Sequence, residues 1–422
     1  MNSQKTYRGT GPLASILVVD DTPANLQVLA GMLKDRGYKV RPVPSGKLAL
    51  LAADRDPPDL ILLDINMPEM NGYEVCEHLK ADEKLMGIPI IFISALTDQL
   101  DKVKAFAKGG VDYITKPFQM EELHARVETH LKLRQLQIEL EATNAQLSKV
   151  NVRMARDLEA AAKIQETFLP RQGLRVPGLD FAWIYVPCDE LAGDGLCVIP
   201  LGDGKVGLYV LDVSGHGVAS ALLSVTLSRL LSPPSEPSSI LIRDGDRGGF
   251  DIAPPAEVAA HLNRLFPFDP ATEQLSTLIY GILNAATGEF RYVSAGHPGP
   301  VHLPYHADPV ILESEGFPIG LTDEVYEERS VCLRPGDRLY LYSDGVPEAM
   351  NPAGDQFGNA RLLEAIAHGR SEPLQKSVAT LLEETVRWHG TGRPHDDLSI
   401  LAVEVSVASA VAEQKPQNMD PS

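Results

Sequence analysis

The stretch Ile16-Leu17-Val18-Val19-Asp20-Asp21 is an apolar run that ends in two adjacent acids. Such a short run is typical of a buried strand. Four more strand-like runs follow along the 422-residue chain, at Lys39–Val43, Leu60–Leu63, Ile90–Ile93 and Val111–Ile114. Amphipathic stretches such as Leu26–Arg36 and Asp98–Lys108 separate them. This alternation predicts an α/β domain over residues 15–130, with a doubly wound parallel sheet of five strands.

Polar and charged residues stand where these predicted strands end. They are Asp20, Asp21, Asp64, Ser94 and Lys116. The carboxyl ends of parallel strands meet at one edge of such a sheet, so these side chains should lie together. Each acid alone is more often a loop residue or a helix cap, but three converging carboxylates need a cation such as Mg²⁺. Lys116 could contact a phosphoryl oxygen there, and Ser94 could donate its hydroxyl.

The motifs at these strand ends resemble those of a response-regulator receiver domain. They are Ile16 to Asp21, Leu63-Asp64-Ile65-Asn66-Met67-Pro68-Glu69-Met70-Asn71-Gly72, Ser94-Ala95 and Lys116-Pro117-Phe118. The resemblance covers about residues 14–130 and implies that Asp64 accepts a phosphoryl group from a histidine kinase. The implied Mg²⁺ ligands are Asp20, Asp21, Asp64 and the backbone carbonyl of Asn66. The implied switch residues are Ser94 and Tyr113, and the implied phosphate-contacting residue is Lys116.

A long helix is predicted after this domain. From about Glu121 to Phe168 the chain contains neither Gly nor Pro, and its composition favours helix. A mostly apolar seam recurs there with alternating spacings of three and four, at Leu133, Leu136, Leu140, Thr143, Leu147, Val150 and Met154. This heptad pattern predicts a helical coiled-coil linker over residues 131–170 and therefore a homodimer. Pro170 ends the pattern.

The remainder of the chain changes character to short strands with Gly and Pro turns. Strand-like runs stand at Phe181–Val186, Lys205–Val213, Leu275–Leu283 and Arg338–Tyr342, and helical ones at Ala219–Leu231 and Ala256–Phe266. They predict an α+β domain over residues 171–405, a β-sandwich flanked by helices. Ser232–Pro255 is rich in Pro, Ser, Gly and Asp and is predicted to be a mobile insertion. Residues 1–14 and 406–422 are predicted to be flexible ends.

Aspartates beside glycines recur in turn-like segments of this last domain. The segments are Ala192-Gly193-Asp194, Asp212-Val213-Ser214-Gly215-His216-Gly217, Ser343-Asp344-Gly345-Val346 and His395-Asp396-Asp397-Leu398-Ser399. One such Asp is most often part of a turn. Four in one acidic domain favour a carboxylate cage for hard divalent cations. Two such cations could activate water and bind a phosphoryl group.

These segments resemble the metal-dependent protein phosphatases of the protein phosphatase 2C fold, specifically the bacterial SpoIIE/RsbU class. Further matching stretches are Ile164-Gln165-Glu166 to Leu169-Pro170, Thr277-Leu278-Ile279-Tyr280-Gly281, Ala295-Gly296-His297 and Tyr342 to Ala349. The resemblance implies two Mn²⁺ or Mg²⁺ ions, held by Asp194, Asp212, the Val213 carbonyl, Asp344 and Asp396, with Asp212 bridging. It also implies in-line attack of water on phosphoserine or phosphothreonine without a covalent intermediate. The usual substrates of this class are phosphorylated anti-sigma-factor antagonists.

The chain departs from that class at two positions. Ala192 stands where the class has the first glycine of Gly-Gly-Asp, and Cys197 stands where a further acid is common. Both departures bear on metal affinity. His216 and His297 are candidate acids or ligands, although the small residues around them favour loop packing. Cys197 is a candidate redox switch, although a small buried apolar residue is the commoner role.

Composition and charge exclude several other classes of protein. The net charge of −19 is concentrated after residue 170, where acids outnumber bases about two to one. A nucleic-acid partner is therefore not expected, and a DNA-binding regulator would lack its basic output domain. The apolar runs are too short for a membrane span, and the four cysteines form no CxxC pair. A cytoplasmic response regulator with phosphatase output is predicted. The alternative is a catalytically inactive adaptor that binds a sigma or anti-sigma factor.

Overall fold

The computed structural model describes residues 14–95, 99–171, 173–215, 217–244, 250–271, 273–390 and 394–406, without the side chains of residues 99–102 and 244. The chain divides into two compact units at the Val152–Arg153 bond. None of the described helices combines the length and the hydropathy of a membrane span.

The first unit is a parallel sheet with helices on both faces. Its strands are β1 (Ser15–Val19), β2 (Lys39–Val43), β3 (Leu60–Asp64), β4 (Ile90–Ser94) and β5 (Asp112–Thr115), in the order β2-β1-β3-β4-β5. Its helices are α1 (Pro23–Lys34), α2 (Gly46–Arg55), α3 (Gly72–Ala81), α4 (Gln99–Ala107) and the start of α5 (Met120–Glu166). The predicted doubly wound fold is confirmed.

Each central strand of this sheet is buried on both faces because its residues alternate between two cores. Leu17 and Leu63 pack with α2 and α3 on one face. Ile16 and Leu62 pack with α1 and the start of α5 on the other. The fully apolar runs seen in the sequence follow from this double burial.

Helix α5 is 47 residues long, as the absence of Gly and Pro predicts. Leu123 and Val127 near its start are buried in the first unit. The apolar residues of the predicted seam leave more than half of their surface exposed, as in Leu136 at 53% and Leu140 at 61%. The helix is confirmed, and the coiled coil stays a prediction.

The second unit is a β-sandwich. One antiparallel sheet has the order β15-β12-β11-β8-β7 and the other the order β14-β13-β16-β17-β6. The strands are β6 (Leu179–Val186), β7 (Gly195–Gly202), β8 (Lys205–Val213), β11 (Ser276–Asn284), β12 (Glu289–Ala295), β13 (Val301–Leu303), β14 (Val310–Ile311), β15 (Arg329–Cys332), β16 (Arg338–Tyr342) and β17 (Leu398–Val405), with a separate hairpin of β9 (Ile242–Asp244) and β10 (Phe250–Ile252).

Helices cover both outer faces of the sandwich, which confirms the predicted layers. They are α6 (Val218–Leu230), α7 (Pro255–Leu265), α8 (Gly345–Glu348), α9 (Gly358–His368) and α10 (Leu374–His389). Val210 and Leu341 share the core between the two sheets. Leu211 of β8 points the other way, into the core under α6 and α7, and α9 and α10 pack on the opposite sheet around Tyr340.

The segment predicted as a mobile insertion, Ser232–Pro255, is tied to the sandwich. It contains the β9–β10 hairpin, and Leu241 and Ala253 are buried in the core under α6 and α7. The Ala253 amide donates to the Leu241 carbonyl at 2.9 Å. Residues 245–249, between β9 and β10 in the sequence, lie outside the described residues, as do 1–13 and 407–422 of the predicted flexible ends.

Candidate functional sites

The first cluster of acids lies at the carboxyl edge of the parallel sheet. Asp20 follows β1 and Asp64 ends β3, and both side chains are buried. Carboxylate oxygens of Asp20, Asp21 and Asp64 lie within 4.8 Å of one another. Three oxygen donors of this kind fit a hard cation such as Mg²⁺.

Lys116 supplies a positive charge to this cluster from the loop after β5. Its Nζ lies 2.8 Å from Asp20 Oδ2 and 3.1 Å from Asp64 Oδ1. Burial raises the pKa of Asp64 above its ordinary value, and the hydrogen bond from Lys116 opposes that shift. The chain itself therefore neutralises part of the charge that it buries here.

Local sequence holds these acids in place. The side chain of Asn25 and the amide of Thr22 both donate to Asp20 Oδ1, at 3.1 Å and 2.8 Å. A Cβ on Gly72 would lie 2.3 Å from the carbonyl oxygen of Asp64, so the start of α3 can approach β3 only without a side chain. The supporting role of Asn25 was not predicted, because an Asn at this place in a helix carries no distinctive pattern.

The other residues predicted for the first site take different positions. Ser94 is buried at the end of β4, and its carbonyl accepts from the Lys116 amide at 2.8 Å. Tyr113 on β5 has its ring edge-on to Phe106, with centroids 6.2 Å apart. Asn66 is exposed two residues after β3.

The second cluster of acids lies where strands of both sheets of the sandwich end. Asp212 is the penultimate residue of β8, Asp194 directly precedes β7, Asp344 follows β16 and Asp396 precedes β17. Burial, together with the charges of Asp344 and Asp396, raises the pKa of Asp212 to about 8. Burial and the charge of Asp396 raise the pKa of Asp344 to about 6. The four aspartates predicted from separate segments are thus electrostatically coupled in one place.

Asp194 is the most deeply buried member of this cluster. It is 2% exposed, and its Oδ2 has no hydrogen-bond partner among the described residues. Burial and the charge of Asp212 raise its pKa well above the ordinary value. An orphaned buried carboxylate oxygen among other acids is suited to a divalent cation, and oxygen donors fit Mg²⁺ or Mn²⁺.

Glycines allow the strand ends of the second site to approach closely. A Cβ on Gly193 would lie 2.4 Å from the carbonyl oxygen of Val213, the predicted backbone ligand. A Cβ on Gly345 would lie 2.2 Å from the carbonyl oxygen of Asp397. The departure from the class at Ala192 therefore leaves Gly193 in place, and Gly193 is the glycine that the close approach requires.

Asp397 supports the second site in a way that sequence reasoning missed. Its carboxylate accepts from the amides of Cys188 at 2.8 Å, Gly193 at 2.7 Å and Asp194 at 3.3 Å. Cys188 lies within 4.8 Å of the carboxylates of Asp396 and Asp397, but burial raises the pKa of its thiol to about 12. Asp397 therefore fixes the loop that carries Asp194, and the paired acids Asp396-Asp397 were the available signal.

Gln165 is the second residue whose role the sequence did not reveal. It lies in the last turn of α5 and is 8% exposed. Its Nε2 donates to the Ala192 carbonyl at 2.7 Å, and its Oε1 accepts from the Ala192 amide at 3.3 Å. The last turn of α5 is therefore hydrogen-bonded to the backbone two residues before Asp194.

The remaining candidates of this domain are packing residues or lie outside the described part of the chain. His297 is buried, its Nδ1 lies 2.8 Å from Thr277 Oγ1 and its Nε2 lies 3.1 Å from the Tyr342 carbonyl oxygen. Burial lowers its pKa to about 3, so the ring is neutral. Burial raises the pKa of Cys197 to about 11, so it is a thiol rather than a reactive thiolate. His216 is outside the described residues.

Comparisons with known proteins divide the chain in the same way as its fold. Residues 16–128 match the response regulator receiver domain, and residues 202–406 match Stage II sporulation protein E (SpoIIE). The DNA-binding response regulator MtrA of Mycolicibacterium smegmatis is 42% identical over 117 residues, 28% of this chain and 50% of MtrA. Response regulator PleD of Caulobacter vibrioides is 43% identical over 114 residues, 27% of this chain and 25% of PleD. The chain spans half or less of the length of these relatives.

Solved structures resemble the second unit. The SiaA-PP2C domain of Pseudomonas aeruginosa is 19% identical with a TM-score of 0.50, over 60% of this chain and 98% of that one. The RsbU and RsbW domains of a Mycobacterium tuberculosis protein are 27% identical with a TM-score of 0.45, over 56% and 64%. The SiaA similarity supports the protein phosphatase 2C fold. The chain therefore joins a response regulator receiver domain, over residues 16–128, to a SpoIIE domain, over residues 202–406, and the second unit has the protein phosphatase 2C fold.

Proposed function

We propose that the protein is a metal-dependent serine/threonine phosphatase whose activity is controlled by phosphorylation of its receiver domain. The observation that carries the proposal is the coupling of Asp194, Asp212, Asp344 and Asp396 at one end of a sandwich of the protein phosphatase 2C type. A packing role cannot explain it, because burying like charges without a cation costs stability.

In this proposal the second site holds two Mn²⁺ or Mg²⁺ ions. The carboxylates of Asp194, Asp212, Asp344 and Asp396 and the carbonyl of Val213 would hold them. When bound, such ions supply an activated water and charge stabilisation for the phosphoryl group. The carboxylate of Asp397 accepts hydrogen bonds from backbone amides and so positions Asp194.

The first site is proposed as the input. Asp64 accepts a phosphoryl group from a histidine kinase, with Mg²⁺ held by Asp20, Asp21, Asp64 and the Asn66 carbonyl. The proximity of Lys116 Nζ to Asp64 Oδ1, 3.1 Å, supports a contact between this lysine and the transferred phosphoryl group. Ser94 and Tyr113 would respond to the added charge as switch residues.

Helix α5 is proposed as the connection between input and output. Its exposed seam, including Leu136, Leu140 and Leu147, would be covered by a second copy in a two-stranded coiled coil. Its last turn contacts Ala192 through Gln165, so a displacement of the helix would move the backbone that carries Asp194.

The proposed substrate is a phosphoserine or phosphothreonine protein, by family resemblance a phosphorylated anti-sigma-factor antagonist. The alternative is an inactive adaptor for a sigma or anti-sigma factor. In either case the proposed compartment is the cytoplasm. Retention of all four aspartates favours the enzyme over the adaptor.

Hydrolysis of p-nitrophenyl phosphate by the full chain tests the proposal, with Mn²⁺ or with EDTA, and with or without a small phosphodonor that loads Asp64. We expect turnover only with Mn²⁺, and a rate that changes on loading in the wild type but not in Asp64→Asn. If neither p-nitrophenyl phosphate nor phosphopeptides are hydrolysed by folded, metal-supplied protein, the adaptor is favoured.

A further inference from the structure

A cavity of about 450 Å³ lies directly beside the second site. Its walls come from α8 and the residues after it, from the end of α10, and from the start of β17. The residues that matter here are Glu348, Met350, Val386, His389 and Asp396. The volume is within the range of cavities that bind ligands.

The cavity shares one residue with the proposed metal site and is otherwise separate from it. Asp396 belongs to both, and Gly345, which follows Asp344, also lines the cavity. A phosphoryl group bound near Asp396 would therefore lie beside the cavity.

The walls favour an apolar occupant. Met350 and Val386 line the cavity and leave 47% and 40% of their surface exposed, and Leu398 and Ala349 also line it. Covering exposed apolar surface stabilises a complex. His389 is held by a 3.0 Å contact of its Nδ1 with the Met350 carbonyl oxygen, and its ring lies edge-on to His395.

The charges at the mouth disfavour an acidic occupant. Glu348 is exposed on the wall of the cavity. Asp396 stands on the other side. An acidic side chain entering the cavity would meet like charge from Glu348 even with cations bound at the aspartates.

We infer that this cavity is a specificity pocket that receives a large apolar side chain close in sequence to the phosphorylated residue of the protein substrate. The inference rests on the proposed phosphatase function and adds a preference that the four aspartates alone do not supply. It names Met350 and Val386 as specificity-determining residues.

The test uses the Mn²⁺-loaded full chain and a set of seven-residue phosphoserine peptides. One peptide has alanine at all six flanking positions, six carry a single leucine and six a single aspartate. We expect leucine at one position to raise kcat/KM about 10-fold over alanine, since its burial removes apolar surface from water. Aspartate at that position should lower kcat/KM.

Two variants assign the preference to the cavity. Val386→Glu and Met350→Glu each place a charge on the wall, and each should abolish the gain from leucine, measured as the ratio of kcat/KM for the leucine and all-alanine peptides in the same variant. Val310→Glu is the matched control, because Val310 is 48% exposed on the edge strand β14 outside the cavity. It should keep the leucine preference.

Two results would overturn the pocket. One is hydrolysis of the alanine peptide with no leucine preference at any position. The other is a leucine preference that persists in both wall variants. If wild-type protein hydrolyses neither peptides nor p-nitrophenyl phosphate, the phosphatase proposal fails and the pocket fails with it.

Discussion

The two acidic sites of this chain bury carboxylates in different ways. In the receiver site Lys116 Nζ lies within 3.1 Å of both Asp20 and Asp64. In the SpoIIE domain no described Lys or Arg forms an ion pair with Asp194, Asp212 or Asp344. The pKa of Asp212 there rises to about 8. The first site carries part of its own counter-charge, whereas the described residues give Asp194, Asp212 and Asp344 no such lysine or arginine.

This difference fits the chemistry proposed for each site. A receiver must reach a stable state both with and without a phosphoryl group, and a built-in lysine stabilises the acids in both. In a hydrolase site, acids that have no built-in lysine can instead be bound by divalent ions that also bind the substrate.

The largest test of the comparison removes one acid from the second site. Asp212→Asn should lower phosphatase turnover by more than about 100-fold, since even changes that only support metal ligands cost 10–100-fold. Steady-state hydrolysis of p-nitrophenyl phosphate in Mn²⁺ measures the loss. Asp203→Asn, on the exposed turn between β7 and β8, is the control and should be fully active. Full activity in Asp212→Asn would refute the site assignment.

A second test loosens the backbone of the second site without changing its acids. Gln165→Leu removes both hydrogen bonds to Ala192, so Asp194 should be held less well and turnover should fall about 10-fold. The Mn²⁺ concentration for half-maximal activity should rise, an effect that general destabilisation alone would not produce. Gln137→Leu on the exposed part of the same helix should change neither quantity. An unchanged metal dependence in Gln165→Leu would show that the contact does not position the site.

A third test removes the lysine counter-charge from the receiver site, which then resembles the second site. Lys116→Met leaves Asp20 and Asp64 without their cation, so the first unit should lose about 1–3 kcal/mol of unfolding free energy in EDTA. Mg²⁺ should restore part of it. Calorimetry of the full chain measures both effects. Lys47→Met breaks the exposed pair with Glu69 and should cost far less stability, because solvent screens an exposed pair. Equal losses in the two variants would mean that Lys116 is not the counter-charge.

The smallest test is the pH dependence of the metal-free protein. Between about pH 4 and pH 8 the folded chain holds a proton on Asp212 that the unfolded chain has released, so stability falls as pH rises. The melting temperature of the SpoIIE domain in EDTA should drop by several degrees from pH 5.5 to 8, at roughly 2–4 °C for each 1 kcal/mol. Mn²⁺ and Asp212→Asn should each flatten this slope in calorimetry. A slope in EDTA that is the same in wild type and Asp212→Asn would contradict the raised pKa.

Much of the fold was accessible from the sequence because its signals are local. The runs Ile16–Val19 and Leu60–Leu63 are apolar throughout, as strands buried on both faces must be. The helix from Met120 to Glu166 lacks Gly and Pro. The segment Ser232–Pro255 was misjudged because turn-rich composition does not reveal that Leu241 and Ala253 reach the core.

The sequence by itself determined which acids were candidates, since Asp64, Asp212 and Asp344 each follow an apolar strand. Only the tertiary structure decided their surroundings. Asp397 and Gln165 act on residues 203 and 27 positions away in the chain, through hydrogen bonds that no local pattern encodes. Burial and like charge, which raise the pKa of Asp212, likewise arise only when strands from two sheets end at the same place.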